Sequence, residues 1–490
     1  MRWIKMLGWH VLLVQVCTAQ TTVTIDVDPI GDGGLEPGCS LREAISLANS
    51  GLMEGFDCTS TQAGMGQPVS YEIILPEMRY TLLGDASSGT AGGDLDVDSV
   101  IVLRGAGSGL TVIEGSGQDR VFHLTSANAS LTLRDLEITG GAILGAGTGA
   151  GIKVDAGVLD LERVTLRNNR AIGEVGRPSD GGAIANQNGS VRIGPASLLL
   201  ENRATRSGGA IYSLGPLTID GATLERNTAT RGGAVYASGP NVNIENCVVR
   251  GNSAVTRGGG LSFRGDSLSV AVVKNCTIVN NSADEGGGIR GSYLDLANST
   301  VAFNRALSED ERPLSRGGGL LLWQSRLTNV TVFANSAEFE GGGLFASGTV
   351  VVANTLLADN EALSGNAPDC GGLVQRQGVN LVSRNNGCSV IFPGGLPNAN
   401  GDLVGTTILP LDPGLAPLAG TPPVLLPGAG SIVVDAVGVG LCTYAATSNN
   451  GLFSDGDPVQ FDQRGVPRDS LCDIGAIESD ELFTNGFEGN

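Results

Sequence analysis

The sequence is short of several things, and each shortage excludes something. Histidine is nearly absent: there are two, His10 and His123, and His123 sits beside Phe122 in an alternating stretch that reads as structural. Lysine occurs only as Lys5, Lys153 and Lys274, in a chain of net charge -20. Nucleic acid and anionic lipid are therefore not expected as partners. Aromatic residues make up 4% against 75 glycines, so the core has to be built from small aliphatic side chains. No apolar run beyond the first 19 residues approaches the roughly 20 needed for a membrane helix, and the middle of the chain has no stretch of helical spacing.

In place of these there is a repeat. Asn-x-Ala recurs eight times between residues 159 and 362, beginning at Asn169, Asn202, Asn227, Asn252, Asn281, Asn304, Asn335 and Asn360, at intervals of 23 to 33 residues. Gly-Gly followed by a small and an aliphatic residue falls between them in constant phase, the small residue being Ala183, Ala210, Ala234, Gly260, Gly288, Gly319 and Gly343. A fixed unit of this length marks a solenoid, in which each repeat buries its apolar side only against its neighbours. Within a unit the apolar residues alternate, as in Leu217 and Ile219 or Val350 and Val352. That is strand periodicity. The fold class expected is all-β: a right-handed parallel β-helix of roughly a dozen coils, about 4.8 Å apart. Asn246, Asn275, Asn298, Asn329 and Asn354 mark a tight corner in five successive units. Asn tolerates left-handed backbone angles there, and its amides are expected to hydrogen-bond along the stack.

The ends differ from the middle. Arg2 and Lys5 precede an uncharged run from Met6 to Val16, and Cys17-Thr18-Ala19 ends in a small residue. Residues 1–19 read as a cleaved secretory signal, which implies a secreted or outer-surface protein. Acylation at Cys17 is disfavoured because Val16 stands where Gly or Ala is needed. Eight cysteines remain, an even number in an oxidising compartment. Proximity pairs Cys39 with Cys58, Cys370 with Cys388, and Cys442 with Cys472. Cys247 and Cys276 fall in one inward column of adjacent coils, and a bond or two buried thiols both remain open. Ser40 and Glu43 form a capping box ahead of Leu41, Ala44, Ile45 and Ala48. This short helix is expected to cover the first coil, whose open strand edge needs a lid.

Cys39 to Ile45 resembles the CSLREA motif found near the start of exported bacterial proteins, and residues 93–122 are similar to the first coils of that family. The central Gly-Gly-Ala-aliphatic and aliphatic-x-x-Asn motifs resemble the repeats of polymorphic outer-membrane proteins. Residues 411–478, with Leu411-Asp412-Pro413, Asp462-Gln463-Arg464-Gly465 and Cys472-Asp473-Ile474-Gly475, look like the choice-of-anchor Q domain, although Ser431 to Val434 replaces the usual Pro-Ala-Ile before Asp435. These resemblances imply a cell-surface or secreted β-helix. They divide the chain into a signal (1–19), an N-terminal cap (20–92), the β-helix (93–400), a C-terminal domain closing the far end (401–478) and a tail (479–490).

No residue is assigned to catalysis, a cofactor or a metal. Asp94, Asp96 and Asp98 alternate like the start of a calcium loop, but Leu95 and Val97 intervene and no Gly follows at the sixth position. The segment Glu311-Arg312-Pro313-Leu314-Ser315-Arg316 has Glu where the pectate-lyase Arg motif begins with Arg. Outward threonines at Thr165, Thr223, Thr277, Thr300 and Thr331 make no ice-binding ladder, because Val248 and Leu356 interrupt them. The line before each Gly-Gly (Asp180, Ser207, Arg231, Arg257, Glu285, Arg316, Glu340) alternates in sign and reads as charges pairing along a solvated ridge. The insertions at residues 172–180 and 307–316 are where contacts are expected. The reading that results is a non-enzymatic, adhesin-like binding protein whose partner is an extracellular glycan or a cell-surface protein. The alternative is a polysaccharide lyase or glycoside hydrolase with an unrecognised site.

Overall fold

A computed structural model of the chain describes residues 21–32, 37–51, 57–58, 69–83, 93–174, 176–308, 315–428, 430–445 and 456–479. The expected signal (1–19), residues 480–490 of the expected tail and residues 311–314 of the Arg-Pro segment lie outside these. The described residues form a right-handed parallel β-solenoid of about 11 turns. Each regular turn contributes four short strands, and every strand-to-strand pairing is parallel. Two columns merge into a 22-stranded sheet, because Leu344–Ala353 and Cys370–Gln377 run on through the corner between them; the third has 13 strands and the fourth has 9.

Register follows the alternation. Leu217 pairs with Val242 and Ile219 with Ile244 in one column, and Leu166, Leu199, Leu224, Val249 and Ile278 stack in another. All of these are fully or almost fully buried. In the fourth column the inward residues are mostly Ala, which keeps that side of each coil narrow. The second Gly of each pair is required by close approach. A Cβ on Gly209 would come 2.1 Å from the Gly233 carbonyl oxygen, and one on Gly233 equally close to that of Gly259.

The corner asparagines do adopt the left-handed conformation, with φ of 53°, 54°, 42°, 51° and 49° from Asn246 to Asn354. Their amides do not form the expected ladder. Asn275 donates to Asn246 at 3.1 Å, but Asn298 and Asn354 bond to the Phe461 and Leu441 carbonyls, and neither amide atom of Asn329 has a hydrogen-bond partner among the described residues. The continuous ladder belongs instead to the Asn-x-Ala asparagines. From Asn169 to Asn360 each Nδ2 donates to the next Oδ1 at 2.9–3.1 Å, and that same oxygen also accepts the backbone N–H of the preceding Asn. Second Nδ2 bonds reach backbone carbonyls such as Leu199 and Leu224. The row is buried and ends on Asp369, whose Oδ1 takes both the Asn360 N–H and Nδ2. Burial pushes the Asp369 carboxyl up to about 7, against the pull of the Asn360 and Arg384 donors.

The helix Leu41–Ser50 (α1) has the Ser40–Glu43 capping box and lies over Leu95–Val97, the first strand of its column. Its side chains replace the missing neighbour strand: Arg42 donates to the Gly93 and Asp94 carbonyls, while Asn49 donates to Asp96 O and accepts from Asp98 N. Four disulfides are present, Cys39–Cys58, Cys370–Cys388, Cys442–Cys472 and Cys247–Cys276, so the two stacked cysteines are bonded.

The C-terminal segment departs from the expected arrangement. The last strand of the column is Leu403–Val404, and Phe392 is buried in the core just before it. The described residues between 411 and 479 then turn back along the flank rather than over the end. Gln463 bonds both Thr277 and Thr300, the Ala476 N–H donates to Thr331, and the Ala445 carbonyl accepts from Arg326. The threonine column is therefore covered over its second half. The cause is the outward row beside it, which runs Arg167, Leu200, Glu225, Arg250 and then Val279, Ala302, Phe333 and Ala358. Val279 and Ala302 pack against Leu425, with Leu415 and Leu418 beside them. Apolar area left facing water there would be costly, and the returning segment removes it.

Candidate functional site

Two strands of every coil carry side chains on the open flanks, and parallel register decides which of them meet. On the first column the outward positions run Asp96, His123, Lys153, Ala185, Tyr212, Tyr236 and Ser262. Tyr212 and Tyr236 stack with centroids 5.7 Å apart, and the Arg231 guanidinium lies over the Tyr236 ring at 5.1 Å. The ridge before each Gly-Gly lines up beside them. Arg257 pairs with Glu285 at 3.3 Å and Arg316 with Glu340 at 3.1 Å; Arg231 donates to Ser207, while Asp180 is held by Arg206. Charges that neutralise one another coil by coil make no track for a polyanion.

The fourth column is different. The middle residue of Asn-x-Ala points outward there, so Arg170 stacks on Arg203 and Arg203 on Thr228. Both arginines are exposed, and neither has an acidic partner among the described residues. The sequence holds 50 Asp and Glu against 30 Lys and Arg, and most described arginines pair with an acid; Arg305, exposed at the same position of a later repeat, is another without an acidic partner among the described residues. They line an open cleft of about 400 Å³ with Asn168, Ile172, Glu201, Arg226 and Thr228. Arg226 is already neutralised, by Glu201 at 3.1 Å and Glu225 at 2.8 Å. What the cleft offers is two guanidinium forks one coil apart, set to receive carboxylate or sulfate oxygens. Residues 172–180 border this cleft through Ile172. The arginines occupy the variable letter of the repeat, which the sequence pattern does not single out.

The third cluster joins residues that spacing kept apart. Asp94 precedes the first strand of the column and Asp96 is its middle residue, and stacking brings His123 beside both: its Nδ1 lies 3.7 Å from Asp94 Oδ2 and 3.4 Å from Asp96 Oδ1. Asp98 is elsewhere, bonded to Thr125. His123 Nε2 meets Asp155 Oδ2 at 2.7 Å, and Lys153 holds the same oxygen at 2.8 Å. Arg120 binds Asp94 at 2.8 Å. Burial, and then the neighbouring Asp94, hold the Asp96 carboxyl above its ordinary range. Burial pushes Asp155 the same way, but the hydrogen bonds from Lys153 and His123 outweigh it and bring that carboxyl below the ordinary range. His123 is thus no isolated core residue, and the aspartates are not simply hydrated.

Fold and flanks together define a class, the parallel β-solenoid with polar side chains arrayed on its sides. No family model matches the chain, and no curated protein does. Among solved structures it is similar to the crystal structure of pectate lyase Pel9A, with 15% identity and a TM-score of 0.39 over 94% of this chain and 97% of that one. Nothing of that protein's chemistry follows for this chain. No helix among the described residues is long and apolar enough to cross a membrane.

Proposed function

We propose that this is an exported, adhesin-like binding protein, at the cell surface or secreted, that holds an acidic glycan in the Arg170–Arg203 cleft. Four disulfides agree with an oxidising compartment outside the cytoplasm. The observation that carries the ligand class is the pair of free, stacked guanidiniums in a chain where acids outnumber bases. An ion pair needs a carboxylate or sulfate, and the acid that lines the cleft among the described residues, Glu201, is taken by Arg226. Two isolated forks suit the spaced carboxylates of a polyuronate and fall short of the dense phosphate track of nucleic acid.

The test is a glycan array with uronate-containing, sulfated and neutral saccharides, run with the chain and with an Arg170→Gln/Arg203→Gln double variant. The reading expects uronate or sulfated saccharides to be retained, the variant to lose at least tenfold in affinity, and retention to weaken with salt. Equal retention of neutral saccharides, or a variant that binds unchanged, would sink it. A second reading, cleavage of the same polymer, is favoured by Glu201 lying in the cleft beside the two arginines. Release of unsaturated uronate or of reducing ends from a retained polyuronate separates it from binding alone.

A further inference from the structure

We infer that Asp94, Asp96 and His123 form a binding site for a divalent transition-metal ion of the zinc type, an inference independent of the arginine cleft. The three donor atoms lie within 4.8 Å of one another, on the first two strands of the column. Their spacing is the first argument. A tetrahedral shell with bonds of about 2.0–2.2 Å sets neighbouring donors roughly 3.3–3.6 Å apart, and His123 Nδ1 is 3.4 Å from Asp96 Oδ1 and 3.7 Å from Asp94 Oδ2. These separations are too long for good hydrogen bonds and leave room for an ion between the atoms.

The second argument is the other side of the ring. Asp155 engages Nε2 at 2.7 Å and is itself fixed by Lys153. That contact fixes the ring with its Nδ1 edge turned toward the other two carboxylates. An outer carboxylate holding a histidine is the arrangement that orients metal-bound imidazoles. Arg120 donates to Asp94 Oδ2 at 2.8 Å and fixes the orientation of that carboxylate, leaving Oδ1 as its second possible donor atom. An imidazole in the shell selects zinc-type ions over calcium or magnesium, which take oxygen donors. Asp96 is on the solvent side, so a fourth position is open to water. The ion would tie the first two coils together directly under α1, whose Arg42 and Asn49 hold the backbone carbonyls of the same two aspartates.

The experiment uses the full chain, stripped with a chelator and titrated by calorimetry with zinc and separately with calcium. One high-affinity zinc per chain is expected, with calcium at least about 100-fold weaker. His123→Ala should abolish that site, and the solvent-side Asp96→Asn should weaken it at least tenfold while leaving the far-ultraviolet spectrum unchanged. Asp155→Asn, a positioning change, should weaken zinc by about 10- to 100-fold. X-ray absorption at the zinc edge should show one imidazole in the wild-type shell. Zinc bound equally by wild type and Asp96→Asn, calcium bound more tightly than zinc, no binding at all, or a shell without imidazole would each overturn the site.

Discussion

Two rows of asparagine run along this solenoid, and only one of them is a ladder. Both repeat once per coil. The corner row, Asn246 to Asn354, sits where the backbone needs a positive φ, and Asp135, Arg163 and Ala196 meet the same need in earlier coils. Its amides are therefore free to bond wherever a partner comes near. The Asn-x-Ala row occupies an interior where every amide proton and oxygen must be matched, and the match available is the same side chain one coil away. Repetition in sequence marks both rows equally; enclosure decides which becomes a continuous hydrogen-bonded chain.

That contrast gives the largest predicted effect. Asn252→Ala removes the acceptor of two N–H groups from Asn227 and the side-chain donor to the Leu224 carbonyl, and leaves Asn281 Oδ1 with only the backbone N–H of residue 252. At about 1–3 kcal/mol for each buried unsatisfied group, the loss should be on the order of 5 kcal/mol, read as a fall in the urea midpoint. The matching corner change, Asn275→Ala, puts Ala at φ 54° and gives up one hydrogen bond, for about 1–2 kcal/mol. Asn275→Gly should recover most of that, because glycine meets the φ without strain. A corner variant as damaging as Asn252→Ala would break the distinction.

The acid at the end of the ladder sharpens it. With its carboxyl raised to about 7, Asp369 keeps its proton in the folded chain at pH values where the unfolded chain, near 3.9, has lost it. Its contribution is therefore full below about pH 4 and is lost as pH climbs toward 7. Unfolding free energy measured across that window should carry a downward component on the order of 4 kcal/mol that Asp369→Asn removes. An unchanged slope in the variant would mean that the terminal acid stays ionised throughout.

Alternation, the two repeat markers and the capping box make the coils, their register and α1 legible in the sequence. What escapes is whatever depends on contacts between coils or beyond them. Asp94, Asp96 and His123 are 29 residues apart at most and meet only through parallel stacking. The returning segment reads as an end cap, although the outward row changes from Arg and Glu to Val, Ala and Phe at Val279, a change that announces a covered face. The arginine pair is hidden in the letter of Asn-x-Ala that looks arbitrary, since a repeat draws the eye to what is constant.

That variable letter yields the smallest expected effect on stability. Arg203 neighbours Asn202 in the chain, yet its side chain leaves the core on the opposite side, into water and without a partner among the described residues. Other coils hold Thr228, Ser253 and Ser282 at the same position. Arg203→Ser should therefore leave the unfolding free energy within about 0.5 kcal/mol of the parent, with Asn202→Ala one residue earlier as the damaging control. If Arg203→Ser destabilised the chain by several kcal/mol, the arginine would be serving the fold, and the reason for reading it as a free binding group would be gone.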